Sequence, residues 1–207
     1  MNQKIIRIDY AVQRIKEGEN MCVILKRLSG KSADQLLEEN DIDMTKPPID
    51  IKKLVSSLGI SVLKRDFSDI ETRANAPRGS ILGATISKGN NLTIFYQSNA
   101  TYNRMRFTVA HELAHCCLHS KNLEMQHVEL RLDDGNDYDE HEKDANIFAG
   151  SLLIPRKLLD QEYKKFIVPS LSALAELFEV SETVMAARLD YLNYSYLKDA
   201  QIGRGIE

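Results

Sequence analysis

Two histidines and a glutamate in the segment HELAH have the residue types and the spacing of a metal centre. His111 and His115 are four residues apart, so on a helix that turns by about 100° per residue their imidazoles lie within about 40° of each other, one turn apart. Such a pair can chelate one zinc ion. Glu112 lies about 100° round the helix, where its carboxylate can reach a water molecule on that ion. The spacing therefore predicts a hydrolytic zinc site with Glu112 as the general base.

A hydrolytic zinc site takes a third protein ligand, and one candidate is on the same helix. His119 is eight residues after His111, which on a straight helix is about 12 Å along the axis and too far for two zinc bonds of about 2 Å. No glycine that would turn the chain follows His115. We therefore expect His119 to contact a ligand or the substrate rather than the ion.

The other candidate lies in a second predicted helix at about 139–153, in the segment DEHEKDANIFAGSLLIP. Glu142 and Asn146 are four residues apart and share one helical face. A carboxylate from a helix packed against the first can complete the site, and a polar residue one turn later can hydrogen-bond a ligand histidine from behind. We predict Glu142 as the ligand and Asn146 as that partner. Other groups that crowd the same segment are Glu140, His141 and Asp144.

The elements around HELAH are predicted from their patterns. A helix at about 100–119, capped by Ser98 or Asn99, carries the two histidines. Before it, strands at 81–87 and 92–96 flank a turn rich in glycine and asparagine, which predicts a hairpin.

The elements upstream are shorter. Ser32 with Gln35 three residues later is a capping-box pattern, and Asp50 is predicted to cap a further short helix. A strand is predicted at 60–63 and a loop at 66–79. The fold class is therefore α+β: a mainly helical domain with a small sheet, about three-stranded, beside the HExxH helix.

The composition is that of a globular protein in a reducing compartment. The 207 residues are 43% hydrophobic and carry a net charge of −3, which does not favour nucleic-acid binding. The three cysteines, Cys22, Cys116 and Cys117, form no disulfide framework, and the last two fall away from the histidine face and are predicted to be buried. The charged N-terminus lacks the apolar segment of a signal peptide, and no apolar run is long enough to cross a membrane. We expect a cytoplasmic protein.

Three segments are predicted along the chain. Residues 1–45 are interpreted as a helical N-terminal extension, 46–168 as the metallopeptidase-like domain, and 169–207 as a helix-turn-helix-like segment packed on the core. The first segment contains no group of residues suited to chemistry, so a helical cap is its simplest interpretation.

The C-terminal segment raises an alternative function. Predicted helices at 171–178 and 182–192 are separated by a short turn, as in a DNA-binding helix-turn-helix. The chain would then be a DNA-binding or protein-binding regulator with a structural or vestigial zinc site. The second helix offers a single arginine, Arg188, beside Glu182 and Asp190, so its charge does not suit a recognition helix.

Taken together, the segments RFTVAHELAHCCLH and EKDANIFAGSLLIP resemble the ImmA/IrrE family of metallo-endopeptidases. The resemblance extends over roughly 47–192 and leaves out residues 1–45. Ala114 stands where the family often has glycine, and Ile154 where it often has methionine; neither is a ligand position. Arg106, at the start of the first segment, is predicted to make a structural ion pair.

The resemblance implies a zincin-like domain, with a thermolysin-like pair of helices beside a small sheet. It implies zinc bound by His111, His115 and Glu142, with Glu112 as the base. It also implies a protein substrate, a helix-turn-helix transcriptional repressor in a bacterial or phage regulatory circuit. Attack on a peptide carbonyl produces a negatively charged oxygen, the oxyanion, which needs a second donor beside the metal. Three side chains are candidates for this donor: His119, Tyr102 and Tyr138.

Overall fold

The computed structural model of the chain describes residues 22–120 and 140–198. Residues 22–120 form helices and the strands of one small sheet, and residues 140–198 are mainly helical. The elements in chain order are α1 (Val23–Leu28), α2 (Ala33–Glu39), α3 (Ile51–Ser57), β1 (Ile60–Arg65), α4 (Ser68–Ala74), β2 (Gly83–Lys88), β3 (Asn91–Gln97), α5 (Tyr102–Leu118), α6 (Glu140–Leu153), α7 (Arg156–Tyr163), α8 (Leu171–Phe178) and α9 (Glu182–Tyr191). The predicted α+β class is confirmed.

The three strands form one mixed sheet in the order β1-β3-β2. The central strand β3 pairs in parallel with β1 and antiparallel with β2, so Ile94 lies between Val62 and Thr85. The β2–β3 hairpin turns at Gly89, whose φ of 58° suits glycine. The predicted hairpin is confirmed, with its first strand displaced by about two residues.

The predicted caps of α2 and α3 are present. Ser32 and Gln35 form the reciprocal capping box, and Asp50 accepts a hydrogen bond from the Lys53 amide.

The predicted cap of the HELAH helix is wrong. The helix is Tyr102–Leu118, and Thr101, rather than Ser98 or Asn99, accepts a hydrogen bond from the Arg104 amide. The reason is that Ser98 and Asn99 form the turn that follows β3. The Ser98 amide there donates a hydrogen bond to the Arg65 carbonyl of β1, so the helix begins only after this turn.

The loop predicted at 66–79 is also wrong, because residues Ser68–Ala74 form helix α4. Its Ile70 packs with Phe67 and Ile81 in a small apolar cluster beside the sheet. The buried carboxylate of Glu71 accepts hydrogen bonds from the amides of Gly79 and Ile81. The high charge of this segment suggested a loop, but one of its charged side chains, Glu71, is buried and hydrogen-bonded to the backbone of the segment that follows the helix.

The second helix of the site, α6, ends at Leu153 as predicted. It packs along α5, and small side chains at the contact, Ala145 and Ala149, allow a close approach. Residues Arg156–Tyr163, for which no element was predicted, form the amphipathic helix α7.

A single apolar cluster connects most of the described elements. It includes Leu25 and Leu36 near the N-terminus, Leu113 of α5, and Phe178 and Leu189 of the last two helices, all fully buried. The boundaries proposed at 45 and 168 stay a prediction, and apolar side chains from both sides of each boundary share this core. Among the helices of residues 22–120 and 140–198, none is long and apolar enough to cross a membrane.

Candidate metal centre

The two histidines of HELAH are buried. Both are 1% exposed, and their Nε2 atoms are 2.9 Å apart. Helix α5 presents them on neighbouring turns of one face, as the four-residue spacing requires. Their rings meet edge to face with centroids 4.7 Å apart. Two ring nitrogens therefore converge on one point.

Glu142 of α6 brings its carboxylate to the same point. Its Oε2 lies 3.2 Å from Nε2 of His111, and its Oε1 lies 3.1 Å from Nε2 of His115. These three residues form a group whose donor atoms all lie within 4.8 Å of one another. Its members come from two helices that the sequence separates by more than twenty residues, so only the packing of α6 on α5 assembles it.

The donor set fits zinc. Two imidazole nitrogens and a carboxylate are zinc ligands, and tetrahedral bonds of about 2.0–2.2 Å place such atoms roughly 3.3–3.6 Å apart. The observed separations are a few tenths of an ångström shorter. Several lone pairs that face each other at these distances repel unless a cation or a proton lies among them. The arrangement is thus suited to a bound cation.

The electrostatics of Glu142 favour its ionised form. Burial alone would raise the pKa of this carboxyl, but when His111 and His115 are protonated their hydrogen bonds and positive charge outweigh burial and hold the pKa below its ordinary value. An ionised carboxylate is the form that binds a metal ion.

Asn146, one turn after Glu142, lies behind the first histidine. Its Oδ1 is 3.0 Å from Nδ1 of His111. The amide oxygen can only accept, so Nδ1 carries a proton, and in the neutral imidazole Nε2 then keeps the lone pair that can bind a metal ion. This contact fixes both the tautomer and the orientation of a candidate ligand.

Glu112 is 2% exposed and leans toward the edge strand β2. The hydroxyl of Thr85 donates a hydrogen bond of 2.7 Å to its Oε2. A methyl group on Gly83 would lie 2.8 Å from its Oε1. Neither strand residue was predicted as part of the site. No local signal marks them, since a threonine and a glycine are ordinary in a short strand.

His119 forms the C-cap of α5 and lies outside the group of three. Its ring contacts those of His115 and His141, with centroids 5.5 and 4.2 Å away. Burial lowers the pKa of His119, and the neighbouring imidazoles lower it further. A role in contact with a ligand or the substrate stays a prediction. Of the two tyrosines named as oxyanion candidates, Tyr102 is half-exposed beside the Arg106 guanidinium, and Tyr138 lies outside the described residues.

Arg106 has the structural role predicted for it. The side chain is buried; Nε donates to the Glu179 carbonyl at 3.1 Å, and Nη1 lies 3.8 Å from the Glu179 carboxylate. Cys116 and Cys117 are buried on the other side of α5, also as predicted. The Arg106 contacts connect α5 to the C-terminal helices, and none of these three residues belongs to the group formed by His111, His115 and Glu142.

An HExxH helix, a second helix that brings a carboxylate to it, and a small sheet along one side are the architecture of zincin-like metallopeptidases. The family comparison agrees with this class. The sequence matches the peptidase M78 family, described as the IrrE N-terminal-like domain, over residues 55–190, and the chain belongs to that family. The resemblance to ImmA/IrrE metallopeptidases is thereby confirmed. A search of curated proteins gave no match.

Proposed function

We propose that this protein is a zinc-dependent endopeptidase that hydrolyses peptide bonds of a protein substrate. The observation that carries the proposal is the convergence of the Nε2 atoms of His111 and His115 with the Glu142 carboxylate, at 2.9–3.2 Å from one another. Membership of a metallopeptidase family supports it.

The proposed mechanism assigns one task to each side chain. His111, His115 and Glu142 would hold the ion, and Asn146 would keep His111 in the required tautomer. Bound there, zinc would polarise a peptide carbonyl and lower the pKa of a water molecule. Glu112 would take a proton from the attacking water and deliver it to the nitrogen of the leaving amine. Because Glu112 is buried beside the ligands, its carboxylate meets little competing solvent.

The metal content of purified protein tests the ligand set. We expect about one zinc per wild-type chain and most of it lost in Glu142→Ala, because two imidazoles alone bind zinc weakly. Glu140→Ala, two residues earlier on the same helix, is the matched control and should retain the ion. No tightly bound metal in the wild type, or equal zinc in Glu142→Ala, would contradict the ligand assignment.

Peptide cleavage tests the reaction. A proteome-derived peptide library is incubated with wild-type protein and with Glu112→Gln, and new peptide ends are identified by mass spectrometry. We expect cleavage by the wild type and a loss of at least a hundredfold in Glu112→Gln at equal zinc content, because the amide cannot accept the proton. Equal cleavage by both proteins would exclude Glu112 as the base.

The substrate we propose is a helix-turn-helix transcriptional repressor in the cytoplasm of a bacterium or in a phage circuit. Its support is the resemblance of the two motif segments to the ImmA/IrrE family. New protein N-termini compared between host cells that express the wild type and cells that express Glu112→Gln test this. A repressor fragment present only with the wild type is the expected result; cleavage confined to other proteins would overturn this choice of substrate.

The alternative is a DNA-binding regulator, favoured by the helix pair α8 and α9 on either side of a short turn. The side chain of Arg188 argues against it. Its Nε donates to the Ile154 carbonyl at 3.1 Å, and the residue is 7% exposed, so this arginine is directed at the core. A salt-dependent shift of duplex DNA by the wild-type protein would favour the alternative.

A further inference from the structure

The buried side chain of Thr85 joins the edge strand to the HELAH helix. Thr85 is 0% exposed, and its hydroxyl donates a 2.7 Å hydrogen bond to Oε2 of Glu112. The two residues are 27 positions apart in sequence, so this contact exists only through tertiary packing. It is a polar link between the sheet and the proposed base.

We infer that Thr85 is a positioning residue for the general base: its hydroxyl holds the Glu112 carboxylate in the orientation that proton transfer needs. The inference rests on the proposed peptidase function. It adds a residue outside both motif segments, from the strand that borders the helix.

A buried carboxylate needs hydrogen-bond donors, and donation to an ionised oxygen is stronger than a neutral hydrogen bond. A glutamate side chain also has three rotatable bonds, each of which must be fixed for the carboxylate to face one water molecule. A donor on a separate, rigid element fixes them better than a donor on the same helix.

Strand β2 is such an element. Thr85 is opposite Ile94 in the antiparallel pairing of β2 with β3, so its backbone position is set by the sheet. Threonine is branched at Cβ and has few χ1 rotamers, which limits the directions its hydroxyl can take. The donor is therefore held before any substrate binds.

The neighbouring glycine sets the distance between strand and helix. A Cβ at Gly83 would lie 2.5 Å from Thr108 Cγ2 and 2.8 Å from Glu112 Oε1, both closer than side chains tolerate. A side chain at position 83 would therefore have to displace Thr108 or the Glu112 carboxylate itself, so glycine suits the close approach of β2 to α5 at this point.

Two substitutions at Thr85 distinguish the effect of its hydroxyl from the effect of its side-chain packing. Thr85→Val keeps the shape and removes the donor; Thr85→Ser keeps the donor and removes a methyl group. With a peptide cleaved by the wild type, we expect Thr85→Val to lower kcat by about tenfold to a hundredfold with little change in KM. Thr85→Ser should stay within about threefold, and the same exchange on the central strand, Thr93→Val, is the control. Zinc content should be equal in all of them.

The opposite order would overturn the inference. If Val were tolerated and Ser lost activity, Thr85 would act by packing alone. A rise in KM without a fall in kcat in Thr85→Val would likewise assign the residue to substrate binding.

A second readout needs no peptidase activity. Urea unfolding of the full chain as purified is compared for wild type, Thr85→Val, Glu112→Ala and the double variant. A charge-assisted hydrogen bond predicts a coupling of about tenfold or more in the unfolding equilibrium constant. A coupling below about twofold would overturn the contact. Full coupling in a protein that cleaves nothing would instead contradict the proposed function and leave the contact in place.

Discussion

At the scale of single residues, the candidate centre depends on which ring nitrogen of a histidine carries its proton. The 3.0 Å contact between Asn146 Oδ1 and His111 Nδ1 favours the tautomer whose Nε2 can bind a metal ion. An asparagine is suited to this task because its amide oxygen accepts at every pH, whereas a carboxylate would add charge to a site that already contains Glu142.

We expect Asn146→Ala to weaken zinc binding by about 10- to 100-fold, because the imidazole of His111 then rotates and exchanges tautomers. Competition with a chromophoric chelator measures this affinity. Asn146→Asp restores an acceptor and should recover at least part of the loss. An unchanged zinc affinity in Asn146→Ala would show that the contact does not orient the ligand.

At the scale of elements, a buried arginine fastens the site helix to the C-terminal helices. Arg106 of α5 donates to the carbonyl of Glu179, directly after the end of α8. Carbonyls at a helix C-terminus lack partners in their own helix and carry partial negative charge, so a guanidinium there supplies both a donor and a positive charge. The contact joins two elements more than seventy residues apart.

We expect Arg106→Met to lower the free energy of unfolding by about 1.5–3 kcal/mol, because hydrogen bonds from a charged donor are lost and a helix end is left unsatisfied. Urea unfolding followed by circular dichroism measures the change. Glu179→Ala is the matched control: that carboxylate is 40% exposed and 3.8 Å from the guanidinium, so its loss should cost less than about 1 kcal/mol. Equal losses in the two variants would mean that the ion pair, and not the backbone contact, is what matters.

At the scale of the whole molecule, one apolar core runs from the N-terminal helices through α5 to α9. Cys117 lies in this core on the side of α5 away from the histidines, and its carbonyl accepts a hydrogen bond from the Gly30 amide. Burial raises the pKa of the Cys117 thiol from 9.0 to about 12, although the nearby charge of Lys31 opposes the shift. The native state therefore retains a proton that the unfolded chain releases.

This difference in proton binding determines the direction in which the free energy of unfolding changes at alkaline pH. Between about pH 9 and 12 the unfolded state binds fewer protons at this thiol, so we expect the free energy of unfolding to fall as pH rises, with a slope of up to about 1.4 kcal/mol per pH unit from this group. Urea unfolding at pH 8, 9 and 10 measures it. Cys117→Ala should be less stable at pH 8 but show a shallower fall. Parallel slopes for the two proteins would mean that the buried thiol contributes nothing to the alkaline loss.

The sequence by itself determined what depends on local spacing. Four-residue intervals put His111 with His115, and Glu142 with Asn146, on single helical faces, and side-chain chemistry at Ser32 and Asp50 marked two helix starts. These features need only the geometry of one helix turn, so they are readable without a fold, and the structure brings the two pairs together through the packing of α6 on α5.

Only the tertiary structure decided what depends on contacts between distant segments. Helix α4 forms because Ile70 finds an apolar cluster and Glu71 finds two amides eight and ten residues further on. Thr101 replaces the predicted caps because the chain before it is still held by the sheet. Thr85 and Gly83 become partners of Glu112 only when β2 lies against α5. In each case the free energy comes from burial or from a hydrogen bond to another segment of the chain, and no pattern within one segment encodes it.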